Sequence, residues 1–380
     1  MDIKEYAKEI RKKLHEYPEI GNEEFQTTKL IESELAKSGI ESFKLLDTGL
    51  MAVIKGEKPA KHHRVIAFRA DIDGLRIQER TNLAYASKNS GFMHACGHDA
   101  HTAILLATAK ALSEEKKSFS DTVVLIFQPA EESTGGAERM IELGCLDNPK
   151  VEKIFGLHVM PNIECGKIGV RYGEMFAASD MITIKVNGAS GHGAFPERGV
   201  DAVVAASNLI TSIQTIVSRN ISPVNPCVIT FGSINGGTAN NIIADYVEIK
   251  GTIRTIDNET RKFVKSRIAE MATGIGTALG ARIDVEFVRG YDPLINEKDS
   301  VDDIVKAAEK VISSENIIEI KDYFMGGEDF SFYLNRTKGA FFGLGSGYKG
   351  KSNPGLHTNE FEIDDNCLGV GIEIFMDLVE

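Results

Sequence analysis

Three short apolar runs, separated by helical stretches, restrict this chain to an α/β architecture. "KHHRVIAFRAD", "SDTVVLIFQ" and "VEKIFGLHV" are nearly continuous apolar strands that end near Asp71, just before "PAEES", and at His158. A strand that lacks polar alternation is buried on both faces, and such strands belong to mostly parallel sheets covered by helices. "HTAILLATAKAL", between the first two, has the pattern of a covering helix.

The middle of the chain follows another pattern. "SDMITIKVNG" alternates as a half-buried strand, and "GVDAVVAASNLITSIQTIVSR" is a helix. "NPCVITFGSING" and "DYVEIKGTIRT" are strands, "NETRKFVKSRIAEMATGIGTALG" is a helix behind an Asn or Asp cap, and "ARIDVEFVRG" is a strand. This β-α-β-β-α-β order is the ferredoxin-like unit. The expected organisation is therefore a mostly parallel-sheet α/β domain of residues 1–179 and 291–380, interrupted by a ferredoxin-like insertion of residues 180–290. A length of 380 residues suits two cores better than one.

The formal net charge of −12 disfavours nucleic acid and anionic membrane as main partners. Five cysteines, at 96, 145, 165, 227 and 367, show no paired spacing, so reduced thiols and a cytoplasmic setting are expected. The N-terminal stretch is read as an amphipathic helix with Ile3, Tyr6, Ile10 and Leu14 on one face, not as an apolar leader. No apolar run approaches the roughly 18 residues of a membrane span.

"MHACGHDAH" gathers three of the nine histidines with one cysteine. Cys96 and His98 flank Gly97, and a thiolate and an imidazole on one tight loop can hold a divalent metal. A lone Cys-x-His is more often a buried thiol beside solvated histidines. "FQPAEES" sets Glu131 and Glu132 side by side after a buried strand. Adjacent carboxylates point in different directions, so one can ligate a metal while the other serves as general base; in isolation they are an ordinary acidic loop. His158 in "GLHVMP", His357 in "NPGLHTNEF", and Asp71 and Asp73 in "FRADIDGL" are each weak signals alone. All of them fall at strand ends or in the loops that follow. Open parallel sheets bind ligands beyond the carboxyl ends of their strands. That shared location points to a metal site.

"HACGHDAH", "QPAEES", "GLHVMP", "GASGHGAFPERGVDA", "GGTANNIIADYVEIKGTIR" and "NPGLHTNEF" together resemble the aminoacylase/carboxypeptidase-type metallo-amidohydrolases. The branch that is most similar holds hippurate hydrolases, plant indole-acetyl-amino-acid hydrolases and N-acetyl-diaminopimelate deacetylases. The likeness runs nearly end to end from "LHEYPEIGNEE". It implies a metallopeptidase-like catalytic domain with an inserted lid/dimerisation domain, and two divalent metals drawn from zinc, manganese, nickel or cobalt. Cys96 would bridge the metals, with His98 and His158 completing one and Glu132 and His357 the other. Glu131 matches the general base. Asp73 matches the family's aspartate two residues beyond a histidine ligand; that histidine is Asp71 here, a departure, and His98 would take over its part. One or both aspartates would orient ligand histidines.

The resemblance further implies that His192 stabilises the oxyanion, often from the neighbouring subunit of a homodimer, and that Asn241 and Arg254 hold the substrate's carboxylate. "MGGEDFSFY" would shape the substrate pocket. The expected reaction is hydrolysis of N-acyl amino acids such as N-acetyl-diaminopimelate or hippurate-like compounds. Three other readings are a dipeptidase or carboxypeptidase of the same family, a cysteine hydrolase using Cys96 with His98 or His101, and a binding protein without turnover.

Overall fold

The computed structural model describes residues 2–380. Two compact units divide the chain. The first runs from the N-terminus to Gly173 and takes in Ile295–Asp322 and Asp329–Glu380; the second comprises Glu174–Leu294 and Tyr323–Glu328.

The first unit is built on an eight-stranded sheet. Its strands run in the order Ser42–Lys44, Leu50–Lys55, Thr122–Gln128, Val65–Asp71, Lys153–Glu164, Lys338–Gly347, Ile168–Val170 and Ile317–Glu319. The four central strands are mutually parallel, and antiparallel neighbours flank them on both sides. Val65–Asp71 and Thr122–Gln128 are buried at every position after the first, as uninterrupted apolar runs require. Phe68 is fully buried and stacks on Phe375 with ring centroids 4.4 Å apart, tying the sheet to the helix Cys367–Asp377. Burying one such side chain contributes roughly 1.5–3 kcal/mol. The helix Ile3–His15 buries Tyr6, Ile10 and Leu14, the face that its periodicity marks.

The strand from Lys153 differs from its sequence reading. It does not stop at His158 but continues to Glu164, because Met160 pairs with Gly345 and Glu164 with Gly347. The partner strand admits this close approach through its glycines: a Cβ on Gly343 would lie 2.4 Å from the Met160 sulfur. Asp71 pairs with Gln128, and Arg69 pairs with Gly156, so Asp71 lies level with His158 two residues further on.

The second unit holds a four-stranded antiparallel sheet in the order Cys227–Gly236, Tyr246–Thr255, Ala178–Asn187, Arg282–Arg289. Helices Ala202–Thr215 and Asn258–Leu279 supply the rest of its core. Asp201 and Asp257 start these helices, accepting from the N–H groups of Val203 and Val204 and of Thr260. Strand and helix succession together with this strand order is ferredoxin-like topology. Among the described residues, no helix is long and apolar enough to cross a membrane.

Candidate metal centre

The geometry of Gly97 decides where Cys96 and His98 face. Gly97 has φ +85° and precedes the helix His98–Glu114. A Cβ there would lie 2.3 Å from Val159 Cγ2, so both the backbone conformation and the packing require glycine. The turn sets the Cys96 thiol and the His98 imidazole beside the strand that carries His158. Ligand atoms of Cys96, His98 and His158 all lie within 4.8 Å of one another, and so do those of Cys96, Glu132 and His357. Cys96 stands in both triads.

Hydrogen bonds turn the imidazoles toward this point. His158 Nδ1 donates to the carbonyl of Val159 at 2.8 Å, which leaves its Nε2 lone pair facing Cys96 Sγ at 3.3 Å. His98 Nδ1 donates to Asp73 Oδ1 at 3.1 Å, and its Nε2 is buried without a hydrogen-bond partner. Asp73 uses its other oxygen to accept from the Glu132 N–H at 3.0 Å. Glu132 Oε1 lies 2.9 Å from His357 Nε2. His357 has φ +61°, a left-handed conformation that histidine tolerates better than most residues, and its N–H donates to the Ala95 carbonyl at 2.8 Å. Glu131 is buried next to Glu132, and both offer an oxygen within 4.8 Å of His98 and of one another.

The local electrostatics favour cations. Burial opposes a charge on His98, but the Asp71 and Asp73 carboxylates outweigh it and raise its pKa to about 10. Burial, reinforced by Glu132 and Glu131, pushes the Cys96 thiol well above its usual value. Burial lowers His158 to about 3, so its ring is neutral, the form that ligates. A buried His98 Nε2 without a hydrogen-bond partner, two imidazoles oriented through their Nδ1 atoms and a thiol among carboxylates make a donor set that fits a pair of divalent cations. Such cations would replace the missing positive charge and remove the proton from sulfur.

Asp71 has another occupation. Its Oδ1 accepts from His101 Nδ1 at 2.6 Å and its Oδ2 from Arg69 at 2.7 Å. His101 Nε2 in turn accepts from the Val159 N–H at 2.9 Å. Asp71 thus fixes a histidine that pins the strand beside His158.

The second unit carries the other three residues singled out from sequence. His192 lies on the short strand Gly191–His192, paired with Ile242, so Asn241 follows on the neighbouring ribbon; its carbonyl accepts from the Gly193 N–H at 2.8 Å. His192 is exposed, and its Nδ1 accepts from the Ala194 N–H at 3.1 Å, which places the proton of the neutral ring on Nε2. Arg254 is half-buried, and burial lowers its pKa. The nearby Asp180 is already engaged by Arg261 through both oxygens at 2.7 Å.

The model of peptidase family M20/M25/M40 matches residues 67–380. This chain belongs to that family. An M20 peptidase from Bacillus subtilis, described as dinuclear metal-binding, superposes with a TM-score of 0.87 at 33% identity, covering 99% of this chain and 97% of that one. N-acetyl-L-cysteine deacetylase of Bacillus subtilis is 40% identical over 360 residues, which cover 94% of this chain and 84% of the relative. N-acetyldiaminopimelate deacetylase of Streptococcus uberis is 39% identical over 341 residues, 88% of this chain and 89% of the relative.

Two features of this M20 site escaped the sequence reading. His101 entered it only as a base for a cysteine mechanism, yet its position three residues after His98 on a helix places both on one face. Arg69 was unremarked because its partners are distant in sequence: besides Asp71 it donates to Gln128 and Asp329, each at 2.8 Å.

Proposed function

We propose that this M20 protein hydrolyses the amide bond of N-acyl amino acids, using two divalent metals and Glu131 as general base. The carrying observation is the thiol of Cys96 shared by two ligand triads, with Glu131 and Glu132 side by side at their margin. Cys96, His98 and His158 would hold one cation and Cys96, Glu132 and His357 the other. When bound, the pair supplies Lewis acidity that acidifies water and draws charge onto the substrate's carbonyl oxygen.

The chain's own groups do the rest. Glu131 accepts a proton from the attacking water as its oxygen bonds to the carbonyl carbon, then returns it to the nitrogen as the C–N bond breaks. The products are a carboxylate and a free amino acid. Asp73 holds His98 and the Glu132 backbone in place, and Asp71 holds His101. We assign the carbonyl oxygen to His192, whose Nε2–H is free to donate once Nδ1 accepts from Ala194. Arg254 and Asn241 take the substrate's carboxylate; the support for Arg254 is a half-buried guanidinium whose neighbouring aspartate is committed to Arg261. The two deacetylase relatives named above support an N-acetyl amino acid as substrate.

The cysteine-hydrolase alternative has little support. The imidazole beside the Cys96 sulfur is His158, His101 Nε2 already accepts from Val159, and burial disfavours the thiolate. We read the chain as a cytoplasmic homodimer. Its five cysteines are free, and the edge strand Cys227–Gly236 of the second unit leaves Val228 and Ile234 exposed.

The test is metal-stripped protein supplied in turn with manganese, cobalt, nickel and zinc, and offered N-acetyl-L-cysteine, N-acetyl-diaminopimelate, hippurate and a dipeptide. Amine release from an N-acyl amino acid that tracks the metal content is the expected result. Two metals per chain with no turnover of any amide would refute the reading, and turnover confined to the dipeptide would favour a dipeptidase. Sedimentation analysis tests the dimer.

A further inference from the structure

We propose that Glu24, in the "PEIGNEE" segment, holds the peptide at Ala130 in its left-handed conformation and thereby aims Glu131, a role that rests on the reading of Glu131 as general base.

Ala130 immediately precedes Glu131 and has φ +60°. L-Residues other than glycine occupy that region only under strain, so neighbouring contacts must hold alanine there. Its N–H donates to Glu24 Oε1 at 2.8 Å, and its carbonyl accepts from the Gly135 N–H at 2.9 Å. Glu24 is fully buried, and its Oε2 accepts from the Thr48 hydroxyl at 2.8 Å. Thr48 is secured in turn, since the Thr28 hydroxyl donates to the Thr48 carbonyl at 2.9 Å and to the Glu24 carbonyl at 2.7 Å.

Helix capping does not account for this carboxylate. Glu24 stands at the start of the helix Phe25–Lys37 but makes no side-chain bond to it. The first amides of that helix, at Gln26 and Thr27, are taken by Glu19. Packing does not account for it either. Burial pushes the Glu24 carboxyl up to about 7, a penalty that an apolar side chain of similar size would avoid.

The rest of the segment clasps the same loop. A Cβ on Gly21 would lie 2.2 Å from Ser133 Oγ and 2.9 Å from Ala130 Cα. Asn22 donates to Thr134 Oγ1 at 3.0 Å and accepts from Arg139 at 2.6 Å. The loop that presents Glu131 and Glu132 is therefore held by three residues of this segment, Gly21, Asn22 and Glu24, of which Glu24 hydrogen-bonds the peptide next to the base.

The test uses metal-loaded enzyme and the fastest substrate of the panel above. Glu24→Met removes both acceptors and is expected to lower kcat on the order of 10- to 100-fold, with KM within about twofold and metals per chain unchanged. Glu24→Gln can still accept from Ala130 and should stay within about threefold of the parent. In the Glu24→Met background, Ala130→Gly should restore about fivefold or more, because glycine adopts positive φ without help. A purely structural role for Glu24 would not show that rescue. If Glu24→Met fails to fold, Glu24→Asp carries the test: it keeps the charge but falls one methylene short of Ala130, and should lower kcat at unchanged metal content.

A kcat unaffected by Glu24→Met or Glu24→Asp overturns the proposal. So does a loss that tracks metal content, a Gln variant as impaired as the Met variant, or no rescue by glycine. Glu131→Gln separates the two levels. If it keeps full turnover, the reading of the base fails; if it abolishes turnover while the Glu24 variants keep theirs, only the positioning role fails.

Discussion

Asp73 Oδ1 and His98 Nδ1 face each other at 3.1 Å, both buried, and that contact leaves His98 Nε2 buried without a hydrogen-bond partner. Asp73 also accepts from the Glu132 backbone, so one carboxylate sets both a histidine and a glutamate donor. Asp73→Ala should therefore weaken metal affinity by about 10- to 100-fold. Chelator competition measures it; an unchanged affinity would show that His98 needs no such support.

Glu131→Gln should leave two metals per chain and lower kcat by about 10²- to 10⁴-fold, because the amide cannot take the proton from water. Elemental analysis and steady-state kinetics on the same sample check both halves. A parallel fall in metal content would make Glu131 a ligand.

Arg254→Met should raise KM about 10-fold or more for N-acyl amino acids, with a smaller effect on kcat. The matching C-terminal amides should lose little, since they offer no carboxylate for the guanidinium. Equal losses for acid and amide would remove the assignment.

Gly97→Ala should impair folding and metal binding together. The new methyl group meets Val159 at 2.3 Å, and φ +85° is costly for any residue with a Cβ, so a loss of about 1–3 kcal/mol is expected. Val159→Ala in the same chain should relieve the clash but not the backbone strain. Thermal melts with and without added metal report the two effects.

Stability should also depend on His15. His15 is buried, with Nδ1 at 2.8 Å from Asp99 and Nε2 at 3.3 Å from Glu79. Burial opposes its charge, but Asp99 more than compensates and raises its pKa to about 9, against an opposing effect of Arg11. Its folded pKa lies above the usual 6.5, so the folded state binds the extra proton. The resulting stabilisation is complete below about pH 6.5 and is lost as pH rises through 9. Urea unfolding between pH 6 and 10 should show a decline approaching about 1.4 kcal/mol per pH unit in that window. His15→Gln should lack that decline; the same slope in both proteins would assign it elsewhere.

The chemistry-bearing residues were legible because strands announce themselves locally. The apolar runs ending at Asp71 and Gln128 placed the adjoining aspartates and glutamates at the carboxyl ends of parallel strands, and the resemblance then proposed a ligand set. What stayed hidden depends on register and distance. Nothing local shows that the strand carrying His158 runs on to Glu164, since that follows from glycines in Lys338–Gly347, far along the chain. The division of labour between Asp71 and Asp73 was equally invisible. It turns on Arg69 and His101 taking the oxygens of one and leaving the other to His98. Glu24 carries no local signal of its role, because its burial depends on Thr48 and Ala130.

The interrupted first unit also sets an order of events during synthesis. Lys338–Gly347 lies beside Lys153–Glu164 in the sheet, yet the whole ferredoxin-like insertion is translated between them. On the ribosome the insertion can close its own sheet while its host still lacks an inner strand, so the growing chain must keep that open edge from misassociating until the last fifth of the polypeptide emerges.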